Sequence, residues 1–409
     1  MEKGYMDIIE KEIKMTLGCT DPGAVAYALA YAAKELEEEV LEIELKLSKS
    51  LYKNALSVGI PYLKKSGIHY AALLGAIIKK PENKLEVLKD VDELTLKILD
   101  DWIDKVKIIV DYIEDVQPLY LEASCVGETK TVKVILKDDY DNIYQVYKNG
   151  KLTFENNITQ DKLDDCVSLD LLDIYNYSIN LNKENEESIL YYESINKKVI
   201  DSGKHLNAIE NTPLEDALVR IGRKYVYEAC SKRMAGERVP VLSLWGSGNL
   251  GLTSMLSVSG MCDFINVDDT VRSRALTLSI LTAICIKSKM NRVTIVCGTA
   301  IAGAAGSAAA TVYLLGGDYN DIIAAINSLI TSSFGILCDG AKDSCAMKTS
   351  LAVSNGIICG IEALKGNKIE AGRGIIHKDI NKTFSYMGYI NNNGMNQVDN
   401  IILDIIKKV

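Results

Sequence analysis

Three cysteines in glycine- and alanine-rich settings are the residues of this 409-residue chain best suited to chemistry. They are Cys19 in the string Gly-Cys-Thr-Asp-Pro, Cys297 in Val-Cys-Gly-Thr-Ala and Cys338 in Leu-Cys-Asp-Gly-Ala-Lys. Small neighbours let the backbone approach a bulky group closely, and thiolates bind soft metals. Three thiolates without a fourth would leave one iron of a four-iron cluster open to substrate, where it could act as a Lewis acid.

Cysteine spacing by itself leaves several interpretations open. The chain contains no C-x-x-C pair, which excludes both a zinc ribbon and the cysteine run of bacterial ferredoxins. A buried cysteine can equally be a small core hydrophobe, and Cys285, in an amphipathic helical pattern, competes with Cys297 for a ligand role. Only three histidines are present, which argues against a metal site built from imidazoles.

The overall composition is that of an acidic globular protein. Net charge is -9, the isoelectric point is about 5.2 and no block of lysine or arginine stands out, so nucleic acid is not expected as a partner. The acidic amphipathic start does not resemble a signal peptide, which predicts a cytoplasmic location with thiols or metal ligands in place of disulfides. Residues 293–315 carry no charge over a length that could span a bilayer. Their small side chains predict a buried central helix instead, and no contact with a membrane.

Hydrophobic periodicity predicts the elements that position these cysteines. In residues 6–17 apolar side chains recur at helical spacing up to Gly18. Asp21 and Pro22 then predict the N-cap and the first residue of an alanine-rich helix. Strict alternation over residues 41–47 predicts a strand with one wet face.

A β-rich segment follows, in short runs of β-forming residues between 106 and 155 that end in the hairpin signal Asn149-Gly150. From about residue 162 the pattern is helical to the end, interrupted by glycine-rich loops at 246–251 and 335–340. We therefore predict an α+β fold class, with a mostly helical catalytic domain and a smaller β-rich subdomain. The predicted boundaries are 1–105 for an N-terminal helical segment with one strand that belongs to the catalytic domain, 106–160 for the β-rich subdomain and 161–409 for the helical catalytic domain.

Four glycine-containing motifs carry a family resemblance. They are GCTDPGAVAYALA (18–30), GSGNLG (246–251), CGTAIAGAAG (297–306) and CDGAKDSCAMK (338–348). These motifs resemble those of the L-cysteine desulfidase family, which is related to the iron–sulfur L-serine dehydratases. The resemblance covers nearly the whole chain, and it implies a [4Fe-4S] cluster with Cys19, Cys297 and Cys338 as ligands. Cys345, seven residues after Cys338, is a candidate catalytic thiol beside the cluster, and a fourth ligand is the alternative.

The resemblance also indicates substrate-binding residues in the loop 246–251. Ser247, Gly248 and Asn249 could present donors to the substrate carboxylate. The same string is also compatible with a loop that holds pyridoxal phosphate, or with a plain structural turn. The departures from the family pattern are Leu244-Trp245, where polar residues are usual, and Leu250, where glutamine is usual.

Four further residues are candidates for substrate contact or proton transfer. Lys53 and Asn54 match a Lys-Asn pair of the family, which implies substrate contact, although two solvated residues on a helix would give the same pattern. Lys342 and Lys348 are candidate proton carriers, since a desolvated lysine can have its pKa brought toward neutrality. An exposed lysine pair is the alternative.

The resemblance implies cleavage of L-cysteine to sulfide, ammonia and pyruvate by elimination at an open iron. An iron–sulfur L-serine dehydratase, a pyridoxal-phosphate lyase and an iron–sulfur sensor are the alternatives. No Schiff-base lysine in a recognisable context supports the second, and the acidic chain lacks the basic face that a DNA-binding sensor needs. The expected partners are a small amino-acid substrate and, as one possibility, further copies of the chain in a homo-oligomer.

Overall fold

The computed structural model describes residues 4–63, 65–156, 168–406 and 408. It is 60% helical and contains a mixed sheet of six strands, which confirms the predicted α+β fold class. Cys166 is not part of the four glycine-containing motifs, which predicts a structural or surface thiol, and it lies outside the residues that the structure describes.

Between residues 4 and 156, the described part of the chain combines five helices with seven strands. The helices are α1 (Tyr5–Glu12), α2 (Thr20–Leu36), α3 (Lys49–Ala55), α4 (Ile68–Ile78) and α5 (Glu93–Lys105), with a 3-10 segment at Pro81–Asp90. The strands are β1 (Ile13–Leu17), β2 (Glu42–Ser48), β3 (Lys107–Ile113), β4 (Tyr120–Val126), β5 (Thr131–Lys137), β6 (Ile143–Lys148) and β7 (Lys151–Glu155).

The large sheet has the strand order β3-β2-β4-β5-β6-β7, with β2 and β3 parallel and the remaining pairs antiparallel. Its β2 strand alternates as predicted, because Ile43, Leu45 and Leu47 are fully buried on the side of the sheet that packs against α2. The predicted hairpin at Asn149-Gly150 joins β6 to β7, and both residues have positive φ, as a tight primed turn requires. The strand predicted at 41–47 therefore lies inside this sheet.

From residue 168 onward, the part of the chain that the structure describes is helical except for one strand, β8 (Pro240–Leu244). Its helices are α6 (Leu171–Ile179), α7 (Lys183–Lys197), α8 (Ser202–Asn207), α9 (Leu214–Met234), α10 (Gly248–Ile265), α11 (Asp269–Ser288), α12 (Ala304–Leu314), α13 (Tyr319–Ser333), α14 (Ser344–Leu364), α15 (Ile380–Tyr389) and α16 (Asn396–Ile406). Short π-helical turns occur at Thr299–Gly303 and Ile390–Gly394.

The small-residue stretch 293–315 enters the centre of the helical half, as predicted. A π turn leads into α12, whose residues from Ala304 to Val312 are all buried. The helices approach so closely that a Cβ on Gly356 would lie 2.3 Å from the Ala304 carbonyl oxygen. None of the helices in the described part of the chain is long and apolar enough to cross a membrane.

The predicted helix over residues 6–17 is wrong in its second half. Helix α1 ends at Glu12, and residues 13–17 form β1, which pairs antiparallel with β8. The helical prediction beyond residue 162 is wrong at 240–244 for the same reason. Each segment is short and forms a strand because it pairs with the other, more than 220 positions away in the sequence. The Thr16 hydroxyl also donates to the Val241 carbonyl at 3.3 Å.

Two hydrophobic cores organise the molecule. One lies between the large sheet, α2 and α4, and the other is formed by the helices of the second half together with α1. The β1–β8 ribbon directly precedes two loops that reach the boundary between these cores, namely the turn at Gly18 and the loop at 246–251. The candidate site lies at this boundary.

Candidate active site

A cavity of about 100 Å³ is lined by four cysteines. Three of them are the predicted cluster ligands, Cys19, Cys297 and Cys338, and the fourth is Cys345. Cys285, the competitor for the ligand role of Cys297, is fully buried elsewhere, and its thiol donates to the Leu169 carbonyl at 3.7 Å. The structure therefore brings together cysteines that are separated by up to 326 positions in the sequence.

Cys19 reaches the cavity because a sharp turn separates β1 from α2. Gly18 has a φ of 73°, and a Cβ there would lie 2.5 Å from Cγ of Pro61. Cys19 itself is the N-cap of α2, in extended conformation, so the prediction that Asp21 is the N-cap is wrong. Asp21 lies in the first turn of the helix, where its carboxylate faces the cavity.

Cys297 and Cys338 are held beside each other by a short backbone bridge. The Cys297 amide donates to the Ile336 carbonyl at 2.7 Å, and the Cys338 amide donates to the Ile295 carbonyl at 2.8 Å. The glycine after Cys297 is required by space, because a Cβ on Gly298 would lie 2.6 Å from Nζ of Lys287. Two separate loops thus present their thiols in one fixed register.

Cys345 approaches the same cavity from the first turn of α14. As predicted, a turn at Gly340, with a φ of 99°, separates it from Cys338. The Cys345 thiol donates to the Gly340 carbonyl at 3.7 Å. This contact keeps the fourth thiol at the wall of the cavity.

Without a bound metal, burial disfavours the thiolate form of the cysteines at the cavity. Burial raises the pKa of Cys19 well above its usual range, and the neighbouring Asp21 carboxylate adds to the effect. Burial together with the Cys338 thiol raises the pKa of Cys297 to about 12. A bound metal centre would supply the positive charge that thiolates at these positions need.

The cysteines at this cavity are arranged for a cluster rather than for a single ion. Among the described residues there is no group of three His, Cys, Asp or Glu side chains placed to hold a single metal ion. In a four-iron cluster each thiolate binds a different iron, so the ligands need not converge on one point. Three cysteines from three loops around one cavity therefore fit a cluster better than a lone ion.

Arg233, at the end of α9, was not identified from the sequence. Its side chain is buried and lines the cavity, and Nη1 donates to Oδ1 of Asn249 at 3.0 Å. Its Nε and Nη2 atoms have no hydrogen-bond partner among the residues that the structure describes. Because a buried guanidinium with two unused donors is costly, these atoms indicate a site for an anion such as a carboxylate.

The predicted loop 246–251 builds the wall around this arginine. Ser247 is the N-cap of α10, and its Oγ accepts from the Leu250 amide at 3.2 Å and lies 3.2 Å from Oγ1 of Thr299. A Cβ on Gly248 would lie 2.3 Å from Nε of Arg233, so a glycine is needed at this position. Ser247 and Asn249 line the cavity, whereas Gly248 makes room for the guanidinium.

Lys53 and Asn54 are both buried rather than solvated, but the structure gives them different places. Asn54 lines the cavity, and its Nδ2 donates to Asp21 at 3.3 Å. Lys53 does not line the cavity; it donates to the Cys338 carbonyl at 2.7 Å and pairs with Asp399 of α16. Lys53 therefore anchors the backbone that presents Cys338.

Replacing Lys53 with methionine is expected to lower the free energy of unfolding by about 3–5 kcal/mol, because it leaves the Asp399 carboxylate buried without its partner. Chemical denaturation of the purified chain measures this value. The double variant Lys53→Met/Asp399→Leu removes both charges and is expected to lose less than the single variant. Equal losses in the two variants would show that the ion pair is not what stabilises this loop.

Lys342 and Lys348, the predicted proton carriers, do not line the cavity. Both pair with Asp339, and Lys348 also donates to the Leu337 carbonyl at 2.7 Å. Although burial opposes it, hydrogen bonds from the two lysines lower the pKa of Asp339 to about 2. In this structure the two lysines brace the loop on which Cys338 lies.

Lys287, in the last turn of α11, is the lysine that the described residues place at the cavity, and sequence reasoning missed it. Its Nζ donates to the carbonyls of Asn291 and Arg292 at 3.1 and 3.2 Å. Burial lowers its pKa to about 8, with the thiols of Cys297 and Cys338 acting in the opposite direction. An amine with this pKa can release and accept a proton near neutral pH.

Two further polar groups complete the wall. The Tyr140 hydroxyl donates to Asp21 at 3.2 Å, and the Cys19 thiol donates to the same carboxylate at 3.4 Å. Arg292 pairs with Glu12 at 2.8 Å and stacks over the ring of Trp245. The departure from the family pattern at Trp245 therefore supports an arginine at the cavity.

Cysteines on three turns, beside an arginine with two unused hydrogen-bond donors, are compatible with an iron–sulfur lyase. Residues 82–404 match the family model described as the serine dehydratase alpha chain, and the chain belongs to this iron–sulfur serine dehydratase-like family of lyases. The predicted relation to the iron–sulfur L-serine dehydratases is thereby confirmed.

The chain is also similar over nearly its whole length to curated proteins that carry the name UPF0597 protein. A relative from Clostridium perfringens is 32% identical over 99% of this chain and 98% of its own length. A relative from Methanocella arvoryzae is 31% identical over 97% and 96%, and one from Parabacteroides distasonis is 33% identical over 98% and 97%.

Proposed function

We propose that the protein is an L-cysteine desulfidase, which cleaves L-cysteine to sulfide, ammonia and pyruvate. The observation that carries this proposal is the convergence of Cys19, Cys297 and Cys338 on one cavity that also holds the unpartnered donors of Arg233. These three cysteines would hold a [4Fe-4S] cluster. When bound, the cluster supplies an iron with an open coordination position that polarises the bond from Cβ to the leaving group.

Arg233 is the proposed carboxylate-binding residue. Its Nε and Nη2 atoms can donate side by side to the two oxygens of one carboxylate, which fixes the orientation of the amino acid. Asn249 holds the guanidinium through Nη1, and Gly248 leaves it space. The hydroxyls of Ser247 and Thr299 offer further hydrogen bonds to the bound amino acid. Removal of the proton from Cα requires an amino acid that is held in one fixed orientation.

Lys287 is the proposed acceptor of the α-proton. It lies at the cavity, whereas Lys342 and Lys348 form ion pairs with Asp339. With a pKa of about 8, a fraction of the amine is neutral at physiological pH and can take the proton at Nζ. Loss of the proton and of the leaving group gives aminoacrylate, which tautomerises to an imine and hydrolyses in water to pyruvate and ammonia.

Lys287→Met is expected to lower kcat by about 10²–10⁴-fold, the range for loss of a general base, with the cluster still bound. Turnover is measured per cluster under anaerobic conditions, so that incomplete cluster loading does not enter the result. Lys342→Met and Lys348→Met serve as comparison variants and are expected to keep most of the turnover per cluster. If either of them abolishes turnover while Lys287→Met does not, Lys287 is not the base.

An iron–sulfur L-serine dehydratase is the second candidate function, favoured by the description of the matching family. The same residues would hold the carboxylate and accept the α-proton, and the leaving group would be a hydroxyl. We favour cysteine because a thiolate is a softer ligand for iron and a better leaving group than hydroxide. Parallel assays with L-cysteine and L-serine distinguish the two.

A further inference from the structure

A second cavity, of about 850 Å³, opens between α8, α9 and α14. It shares no lining residue with the catalytic cavity in the described part of the chain. Its volume falls within the range of about 300–1,000 Å³ that is typical of small-molecule sites.

The cavity carries an excess of positive charge. Arg220, Arg223 and Lys224 follow one another at helical spacing on one face of α9, and Lys204 joins them from α8. Within the described residues, none of these four side chains forms an ion pair with a carboxylate. Four uncompensated cations on a chain of net charge -9 indicate an anionic ligand.

The acidic side chain at this surface is already neutralised. Glu228 is the carboxylate that the described lining residues contribute. Lys232 approaches it at 2.6 Å, and Nε2 of His205 at 2.5 Å. The cations along α9 therefore stay available to a ligand.

Apart from Ser231 and Ser354, the rest of the lining is mostly apolar. Tyr227 lies on the same face of α9 as Arg223, and Met347 and Leu351 are one helical turn apart on α14. Between 42% and 48% of the surface of each of these three side chains is accessible. An inorganic phosphate would leave this apolar surface uncovered, and an apolar molecule would leave the cations without partners.

We propose that this groove binds a nucleoside phosphate. The planar base lies on Tyr227 and the apolar side chains of α14, and the phosphate groups accept hydrogen bonds from Arg220, Arg223 and Lys224. The ligand contacts both α9, whose last turn carries Arg233, and α14, whose first turn carries Cys345. The proposal is independent of which amino acid the catalytic cavity cleaves.

Isothermal titration calorimetry of the full chain with ATP tests this proposal, with adenosine and tripolyphosphate as comparison ligands. ATP is expected to bind at least about tenfold more tightly than either, because adenosine lacks the phosphate groups and tripolyphosphate lacks the base. The variant Arg220→Ala/Arg223→Ala is expected to weaken ATP binding by about tenfold or more. In Tyr227→Ala, ATP is expected to bind no better than tripolyphosphate.

The control removes the same charge from another surface. Lys97→Ala/Lys105→Ala changes two exposed lysines of α5 and is expected to leave ATP affinity unchanged. Equal loss in both double variants would mean that ATP senses only net charge, and the proposal would be wrong. Tighter binding of a polyglutamate peptide than of ATP would also overturn it, since the groove would then be a docking surface for an acidic protein segment.

Discussion

Cys297→Ala is expected to abolish both cluster binding and turnover, while the fold stays intact. Anaerobically reconstituted wild-type protein should carry about four irons and four sulfides per chain, with a broad brown absorbance that fades in air. With Cys19 and Cys338 alone, two of the irons would lack a protein ligand. Iron and sulfide analysis together with the visible spectrum measures the loss, and circular dichroism checks the fold. Cys19→Ala and Cys338→Ala should behave in the same way.

The matched control for this prediction is Cys285→Ala. Cys285 is also buried and lies only twelve positions before Cys297, but it does not line the cavity. Its replacement is expected to leave iron content unchanged. The ligand assignment would be overturned if Cys297→Ala kept a full cluster and Cys285→Ala lost it.

Arg233→Gln is expected to lower kcat/KM for the amino-acid substrate by about 10²–10⁴-fold. Two hydrogen bonds to a charged group are lost, and each contributes about 1.5–3 kcal/mol. The cluster should remain bound, because no predicted ligand is changed. Steady-state kinetics, with iron content measured on the same samples, gives the result.

Arg233→Lys separates charge from geometry at the same position. Lysine keeps the positive charge but cannot donate from two fixed nitrogens to one carboxylate, so an intermediate loss is expected. Addition of guanidinium ion to Arg233→Gln should restore part of the activity. If Arg233→Gln keeps wild-type kcat/KM, the carboxylate is bound elsewhere in the cavity.

Local sequence signals predicted those parts of the fold that depend on near neighbours. The hairpin at Asn149-Gly150 and the alternating strand β2 are encoded within a few residues, and both were predicted correctly. The β1–β8 ribbon was missed because each strand is stabilised by a distant partner. The N-cap of α2 was placed at Asp21 because aspartate is a preferred cap, yet the tertiary position of Cys19 decided the start of the helix.

In the candidate site too, local sequence patterns reveal some residues and only the tertiary structure reveals others. The three cysteines stand out in sequence because glycine and alanine surround them. At Cys297 the structure explains this pattern by the close approach of Lys287 to Gly298. Arg233 and Lys287 each lie in the last turn of a long helix, where basic residues are common, so no local pattern distinguishes them from surface residues. Only their burial and their position beside the cysteines reveal them.

The anaerobic assay of cluster-reconstituted protein with L-cysteine and L-serine tests the central claim most directly. We predict that L-cysteine gives sulfide and pyruvate in equal amounts, and that L-serine gives pyruvate far more slowly. Equal turnover of the two amino acids would indicate a serine dehydratase, and activity that persists without iron but is lost on borohydride treatment would indicate a pyridoxal-phosphate lyase. Turnover of neither amino acid by protein with an intact cluster would contradict an enzymatic role and favour an iron–sulfur sensor.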